Sequence, residues 1–237
     1  MVLSAFGATH PGPRPSNQDA WLVDQALGLF VVADGMGGHN AGEIASSLAV
    51  TAMARSMGAD AQRSAARLEQ ALHAANTRIW ESAAEHPEQN GMGTTVVAVL
   101  AVDDGFAVAS VGDSRVYRWS GGALQQLTRD DSWVWQMFPG DAPESVQARA
   151  RHPMRHVLTE VVGIRPSIEP HASESNLAPG DAFLLCSDGL HGVLPDARML
   201  SCFESGTAEA IATRLVGEAV ERGASDNVTA VVVLRDA

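Results

Sequence analysis

The chain has 237 residues, 46% of them hydrophobic, which is enough to bury a substantial core in one large domain or two small ones. Its formal net charge of −12, with no basic run to offset it, argues against nucleic acid or an anionic membrane as a partner. No signal-peptide pattern and no apolar run of membrane-spanning length is visible, so we expect a cytoplasmic protein without a membrane anchor.

Short apolar runs bounded by turn residues predict β-strands along most of the chain. In chain order these runs are 2–9, 20–23, 29–33, 94–102, 106–111, 116–119, 167–171, 182–187 and 228–234. Gly28, residues 103–105 and residues 120–122 separate neighbouring runs at hairpin spacing. This spacing favours antiparallel pairing.

Apolar residues at helical spacing predict three amphipathic helices, and we interpret each apolar stripe as a core-facing surface. The stripes are Ile44, Leu48 and Ala52; Leu68, Leu72, Ala75 and Ile79; and Ile211, Leu215 and Ala219. Strands and helices do not alternate as in a doubly wound sheet. The order therefore predicts an α+β fold in which two antiparallel sheets pack together and helices cover the outside.

Residues 130–152 form an irregular segment with three large aromatic side chains before a Pro139-Gly140 break. Such a segment is typical of a surface flap, which often borders an active site. A packing excursion without a functional role explains the pattern equally well. We find no linker or internal repeat, so we expect a single domain over residues 1–237.

Asp34, Asp188 and Asp226 border short apolar runs, and Asp19 precedes another. A carboxylate at the end of a buried strand needs a hydrogen-bond donor or a cation. Hard oxygen ligands collected from distant strands suit Mg²⁺ or Mn²⁺ rather than zinc. One such aspartate is ordinary turn chemistry, but several in one small domain indicate a metal-dependent hydrolase.

Three further motifs have both functional and structural interpretations. Arg14, on a proline-rich loop, has the geometry to bind two phosphate oxygens, although an isolated arginine there is usually only solvated. Gly35 could lend its carbonyl to a metal beside Asp34, and His39 is a general acid or a surface residue at a helix start. Asp113, in Gly112-Asp113-Ser114-Arg115, is by itself a good hairpin-turn residue.

Other catalytic classes lack their signatures. The sequence has no HExxH motif, no GxSxG elbow and no EF-hand spacing. Cys186 and Cys202 have no CxxC neighbour, which argues against zinc binding and thiol exchange. Cys186 lies inside an apolar run, and this position predicts a small core residue.

Taken in order, RPSNQD, DGMGGH, GTT, GDSR, SDG and SDN span Arg14 to Asn227. This series resembles the metal-dependent (PPM, type-2C) protein serine/threonine phosphatases, above all in DGMGGHNAGEIAS. The resemblance implies a central antiparallel β-sandwich flanked on both faces by pairs of antiparallel helices, with a flap at about 128–153.

The resemblance also implies a site for two Mn²⁺ or Mg²⁺ ions. Asp34 would bridge both ions, with the Gly35 carbonyl on one of them and Asp188 and Asp226 on the other. Asp19 would hold coordinated water, Asp113 would serve a weaker third ion, and Arg14 would bind the substrate phosphate. His39 is the candidate catalytic histidine, although Met36 stands where eukaryotic relatives have a histidine.

The flap departs from the family pattern, since Asp130-Asp131-Ser132 replaces a common Asp-His-Ser. We interpret Asp130 and Asp131 as solvated turn acids. The implied activity is hydrolysis of phosphoserine and phosphothreonine in proteins, opposing a bacterial Ser/Thr kinase. Two alternatives are an inactive binding protein with the phosphatase fold, and a phosphatase of small phosphoesters or of an anti-sigma-antagonist-type partner.

Overall fold

A computed structural model describes residues 2–38, 41–58, 63–102 and 105–236. The strands within these residues are β1 (Leu3–His10), β2 (Asp19–Asp24), β3 (Leu29–Met36), β4 (Gly93–Thr94), β5 (Val96–Ala101), β6 (Phe106–Val111), β7 (Arg115–Ser120), β8 (Ala123–Gln126), β9 (His171–Ser175), β10 (Ala182–Cys186) and β11 (Val228–Arg235). The helices are α1 (Ala41–Ser56), α2 (Ala65–Glu85), α3 (Trp133–Met137), α4 (Pro143–Arg151), α5 (Asp188–His191), α6 (Asp196–Cys202) and α7 (Ala208–Glu221), with a short 3-10 helix at Pro87–Gln89.

The strands form two antiparallel sheets, as the hairpin spacing predicted. One sheet has the order β2-β3-β5-β6-β9, with β4 paired to β3, and the other has the order β1-β11-β10-β7-β8. Helices α1 and α2 pack on the outer face of the first sheet, and α6 and α7 on the outer face of the second. The predicted layered α+β architecture is therefore confirmed.

Both faces of the central strands are buried, which explains their continuous apolar runs. In β3, Leu29, Val31 and Ala33 face the helices, whereas Phe30 and Val32 face the other sheet. The two sheets meet through an apolar layer in which the rings of Phe106 and Phe183 pack edge to face, with centroids 4.9 Å apart. This layer fixes how the two sheets are placed against each other.

The predicted core stripes of α2 and α7 are buried. The stripe predicted for α1 is not the most buried one, because Ile44, Leu48 and Ala52 are only partly covered. Ala45 and Ala49 face the core instead and are fully buried. Their small side chains let α1 lie close to β3 and α2, so hydrophobic bulk was the wrong guide to the buried face.

Four predictions about strands and turns need correction. The strand predicted at 167–171 begins only at His171, because Ile168 is a loop residue that packs into the core. The run 94–102 is divided at Thr95 between β4 and β5, and Cys186 is the last strand residue of the run 182–187. Residues 112–114 do not form a hairpin turn. They cross from β6 in one sheet to β7 in the other.

The irregular segment contains α3 and α4, and contacts between its own residues hold these two helices together. The Arg149 guanidinium lies over the Trp135 ring at 5.0 Å and donates through Nη1 to the carbonyls of Phe138 and Gly140, each at 2.6 Å. Helix α4 has no buried residue.

None of the helices in the described ranges is both long and apolar enough to cross a bilayer.

The loop at residues 162–165 connects α2 to the short strand β4. Asn76 on α2 is buried, accepts from the Gly163 amide at 2.7 Å and donates to the Arg165 carbonyl at 3.0 Å. Gly163 has φ +94°, and a Cβ atom there would lie 2.2 Å from Ile79. Only glycine fits both the backbone angle and the space. Val162, which precedes Gly163, forms two backbone hydrogen bonds with Thr94, each 3.0 Å long.

We expect Gly163→Ala to lower the free energy of unfolding by about 3 kcal/mol, because it combines a strained positive φ with a clash in the core. Urea denaturation followed by circular dichroism measures this loss. Gly121→Ala is the matched control, since Gly121 has φ +55° with no atom within 4 Å of an added Cβ. It should cost only about 1 kcal/mol. Equal losses in the two variants would contradict the packing argument.

Candidate active site

Aspartates from both sheets converge at one end of the sandwich. Asp19 and Asp34 are direct cross-strand partners in β2 and β3. Asp188 lies two residues after the end of β10 at Cys186, and Asp226 lies two residues before β11, the antiparallel neighbour of β10. Asp113 joins them from the crossover between the sheets. They surround a cleft of about 290 Å³ whose walls include Arg14, Asp34, Gly35, Asp113, His156, Asp188 and Asp226.

The carboxylates destabilise one another's charged forms. Burial raises the pKa of Asp34 well above its usual range, and the charges of Asp19, Asp188, Asp113 and Asp226 raise it further. Burial, followed by the charges of Asp188 and Asp130, raises the pKa of Asp113 to about 8. Burial, followed by the charge of Asp226, also raises the pKa of Asp188. This arrangement concentrates negative charge that only protons or cations can offset.

Asp19 is held by two hydroxyl groups on one side only. Ser187 Oγ and Thr229 Oγ1 donate to its Oδ2 at 2.8 and 2.6 Å. Burial raises the pKa of Asp19 to about 6, against the lowering effect of these two hydrogen bonds. Asp19 Oδ1 is buried and has no hydrogen-bond partner, and Asp188 Oδ1 is in the same situation. Two unpartnered carboxylate oxygens beside one cleft fit a hard divalent cation.

No three His, Cys, Asp or Glu side chains within the described ranges form a closed set of metal ligands around one point. The acids instead line an open cleft. This arrangement fits Mg²⁺-like ions, which use one or two carboxylates and complete their coordination with water and substrate phosphate. It does not fit a closed structural site of the zinc type.

The crossover that carries Asp113 is clamped by the two acids that we expected to be solvated. Asp130 binds the Arg115 guanidinium through both oxygens, at 2.9 and 2.7 Å. Asp131 is buried, accepts from the Gly112 amide at 3.0 Å and donates its own amide to the Gly112 carbonyl at 2.8 Å. The prediction of solvated turn acids was wrong, because both side chains neutralise or satisfy groups of this crossover.

Backbone contacts position Asp34 and Gly35. The Asp34 carbonyl accepts from Thr94 Oγ1 and from the Thr95 amide, both at 2.9 Å. The Gly35 amide donates to the Gln18 carbonyl at 3.1 Å, and a Cβ on Gly35 would lie 2.0 Å from the Gly42 carbonyl oxygen. A side chain cannot be accommodated there. The threonines that first suggested only a strand start therefore hold the central acid in place.

Arg14 reaches the cleft from a loop that is fixed by the residues around Asp226. Its Nη2 donates to Asp226 Oδ2 at 2.7 Å and its Nε donates to the Ser225 carbonyl at 3.2 Å. The side chain of Asn227 binds the same loop on both sides of Arg14: it accepts from the Gln18 amide at 2.8 Å and donates to the carbonyls of Pro11 and Ser16 at 2.9 and 3.0 Å.

His156 was missed by the sequence interpretation. It lines the cleft, and its Nδ1 lies 3.9 Å from Asp188 Oδ2. The residue lies just beyond the predicted flap boundary at 153, where no motif singles it out. Leu158 lines the cleft as well, so the segment that follows α4 borders the site. The predicted catalytic residue His39 lies outside the residues that the structure describes.

Residues 6–214 match the family pattern of protein phosphatase 2C. The chain is 34% identical over 223 residues to the serine/threonine protein phosphatase PstP of Mycobacterium tuberculosis, covering 92% of this chain and 42% of that protein. The chain thus spans less than half the length of that relative. It is 32% identical over 215 residues to the serine/threonine phosphatase stp of Listeria monocytogenes, covering 88% of this chain and 84% of that protein.

Solved structures give the same result. The crystal structure of the M. tuberculosis serine/threonine phosphatase PstP/Ppp superposes with a TM-score of 0.90 at 32% identity and covers 100% of both chains. A PstP catalytic domain in complex with two manganese ions superposes with a TM-score of 0.86 at 32% identity, covering 98% of this chain and 97% of that one. The chain belongs to the protein phosphatase 2C family.

Proposed function

We propose that this chain is a metal-dependent protein serine/threonine phosphatase, which hydrolyses phosphoserine and phosphothreonine monoesters. The observation that carries the proposal is the cleft itself, where four aspartates from two sheets face an arginine. The relatives from M. tuberculosis and L. monocytogenes are both named as serine/threonine phosphatases, and one similar solved structure is a complex with two manganese ions. These similarities support the proposal for this chain.

In this proposal two Mn²⁺ or Mg²⁺ ions bind in the cleft. Asp34 would be the shared ligand, the Gly35 carbonyl would hold one ion, and Asp188 and Asp226 would hold the other. The unpartnered Asp188 Oδ1 supports its assignment as a ligand, and the unpartnered Asp19 Oδ1 supports a role in holding coordinated water. Asp113, fixed by its clamped crossover, is the candidate ligand of a third ion.

When bound, the two ions supply an activated water nucleophile and neutralise charge on the phosphate. Arg14 then orients the phosphate oxygens. A guanidinium has five N–H donors, and the contacts to Ser225 and Asp226 use two of them, so three remain for the substrate. Because these two contacts fix the guanidinium plane, the remaining donors keep one direction, which favours in-line attack on a single phosphate orientation.

The setting of the enzyme is also part of the proposal. We infer a phosphorylated protein as the substrate, an opposing Ser/Thr kinase as a functional partner and a cytoplasmic location. We further infer that residues 1–237 act as a single catalytic domain with a flap at about 128–153. The chemistry at the cleft uses no cysteine, in agreement with the full burial of Cys186 and with a thiol pKa that burial raises to about 12.

Asp34→Asn should abolish Mn²⁺-dependent hydrolysis of p-nitrophenyl phosphate, with kcat falling by about 10²–10³-fold, because the shared ligand loses its charge. Steady-state kinetics with and without Mn²⁺ measure this loss. Asp181→Asn is a matched control, since Asp181 is also an aspartate but does not line the cleft. Its Oδ2 lies 3.2 Å from Nη2 of Arg118. This variant should keep full activity. A folded wild-type protein without turnover in any divalent metal would instead indicate a phosphoprotein-binding relative.

The same substitution should stabilise the metal-free protein. The folded-state pKa values of these aspartates are raised, so the folded state is favoured at low pH and loses stability as the pH rises from about 4. Asp34→Asn removes one of these charges. In EDTA at pH 8 it should raise the thermal midpoint by roughly 2–8 °C, which corresponds to about 1–2 kcal/mol.

Differential scanning fluorimetry in EDTA and in Mn²⁺ tests this prediction without relying on activity. Adding Mn²⁺ should raise the midpoint of the wild type strongly and that of Asp34→Asn weakly. Asp181→Asn should lower the midpoint in EDTA, because it breaks the ion pair between the buried Asp181 carboxylate and the partly exposed Arg118 guanidinium. A lower midpoint for Asp34→Asn in EDTA would contradict the electrostatic argument.

Asn227→Ala should raise KM more than it lowers kcat, because it releases the Arg14 loop and leaves the acids in place. We expect KM for p-nitrophenyl phosphate to rise by about tenfold, since one hydrogen bond accepted from a backbone amide and two donated to backbone carbonyls are lost. Mn²⁺ binding, measured by calorimetry, should change little. The double variant with Arg14→Ala should be no worse than Arg14→Ala alone. Additive losses would show that Asn227 does not act through Arg14.

A further inference from the structure

Beside the acidic cleft lies a stretch of the chain without any acid. Residues 145–159 contain three arginines and two histidines but no Asp or Glu, in a chain whose formal charge is −12. Residues 151 and 153–157 are exposed. This local excess of positive charge, in a chain of opposite net charge, raises the electrostatic potential beside the cleft.

The arginines of this stretch differ in what they contact. Arg149 has a structural role, because it lies over Trp135 and binds two carbonyls of the flap. The guanidinium groups of Arg151 and Arg155 have no hydrogen-bond or ion-pair partner among the described residues. Their guanidinium groups are therefore free to bind an external anion. Two apolar side chains beside them, Met154 and Val157, are 43% and 40% exposed.

The stretch is nevertheless fixed in place. The Trp133 amide donates to the Val157 carbonyl at 2.8 Å, and Ser132 and Leu158 form an antiparallel bridge. The amides of Arg155 and Val157 close two consecutive turns onto the carbonyls of His152 and Met154, at 3.2 and 3.1 Å. The backbone that carries Arg155 is therefore pre-organised, which lowers the entropy lost when a partner binds.

The stretch leads directly into the cleft. Arg155 is the sequence neighbour of His156, which lines the cleft, and Arg151 precedes Arg155 by four residues. A peptide whose phosphorylated side chain enters the cleft would pass over this stretch within a few residues. Acidic residues elsewhere around the cleft would repel a negatively charged peptide, so the free arginines are the attractive part of the rim.

We propose that the stretch from Arg151 to Val157 docks acidic residues that flank the phosphorylated side chain of a protein substrate. This inference rests on the proposed phosphatase function and specifies its substrate class. The exposed methionine and valine side chains would cover the apolar parts of the same peptide. An acidic protein segment is the occupant that fits, because both arginines lie on the exposed segment that leads to His156 in the wall of the cleft.

The test compares two phosphothreonine peptides of equal length, one with Asp and Glu around the phosphothreonine and one with Asn and Gln in their place. We expect kcat/KM for the acidic peptide to be higher by about three- to tenfold, as two exposed charge pairs allow. The Arg151→Gln, Arg155→Gln double variant should bring this ratio close to one. The preference should also disappear at about 1 M NaCl, where the screening length is about 3 Å.

Arg78→Gln is the control for net charge, because Arg78 is exposed on α2 and has no partner among the described residues. It should leave the peptide ratio unchanged. The charge-reversed variant with Arg151→Glu and Arg155→Glu should prefer a peptide with basic flanks. Fluorescence anisotropy of the labelled peptides gives the same comparison as binding constants, so the proposal can be judged even without turnover.

An unchanged acidic-to-neutral ratio in the double variant, by kinetics and by anisotropy, would overturn the docking proposal. Hydrolysis of p-nitrophenyl phosphate separates this failure from failure of the phosphatase function, since so small a substrate does not reach the arginines. Binding of a non-phosphorylated acidic peptide as strongly as the phosphorylated one would also contradict the proposal, because the stretch would then act apart from the cleft.

Discussion

Mutual repulsion among buried carboxylates is the constraint on which the rest of this structure depends. Asp34 has four other aspartates close enough to raise its pKa, and burial prevents water from screening them. Both sheets contribute acids to the cluster, so it forms only where the two sheets are held together. The apolar layer around Phe106 and Phe183 provides that hold, far from the charges. Stability is concentrated in the layers, and one end of the sandwich carries the electrostatic cost.

The surroundings of the cluster reduce this cost without removing it. Thr229 and Ser187 satisfy one oxygen of Asp19, and Arg115 opposes, without outweighing, the burial and neighbouring charges that raise the pKa of Asp113. At Asp19 the support comes from one side, and the other carboxylate oxygen has no hydrogen-bond partner. A group that needed only to be stable would have all its oxygens satisfied. The one-sided support is therefore the physical signature of a ligand site.

The sequence was sufficient for the architecture, because continuous apolar runs between turn residues allow few arrangements other than packed sheets covered by helices. It also predicted that Asp19, Asp34, Asp188 and Asp226 border such runs, and the structure places these acids close together. The sequence did not predict the burial or the contacts of residues whose environment is set by tertiary packing. Ala45 and Ala49 are buried through close helix approach, and Asp130 and Asp131 bind a crossover that no local pattern reveals. His156 was missed because only the return of the chain after α4 brings it to the cleft.

The proposed phosphate-binding and metal-binding groups are in direct contact with each other. The tripeptide Ser225 to Asn227 contributes a carbonyl and a carboxylate to Arg14, and an amide side chain to the loop on either side of it. Asp226 is at the same time a proposed metal ligand. A shift of Asp226 on binding a cation must therefore move the partner of the Arg14 guanidinium. The Arg14 loop and the Asp226 segment are closely packed, because a Cβ on Gly12 would lie 2.2 Å from the Asp226 carbonyl oxygen. The proposed function therefore implies that metal occupancy and phosphate affinity are coupled through this contact.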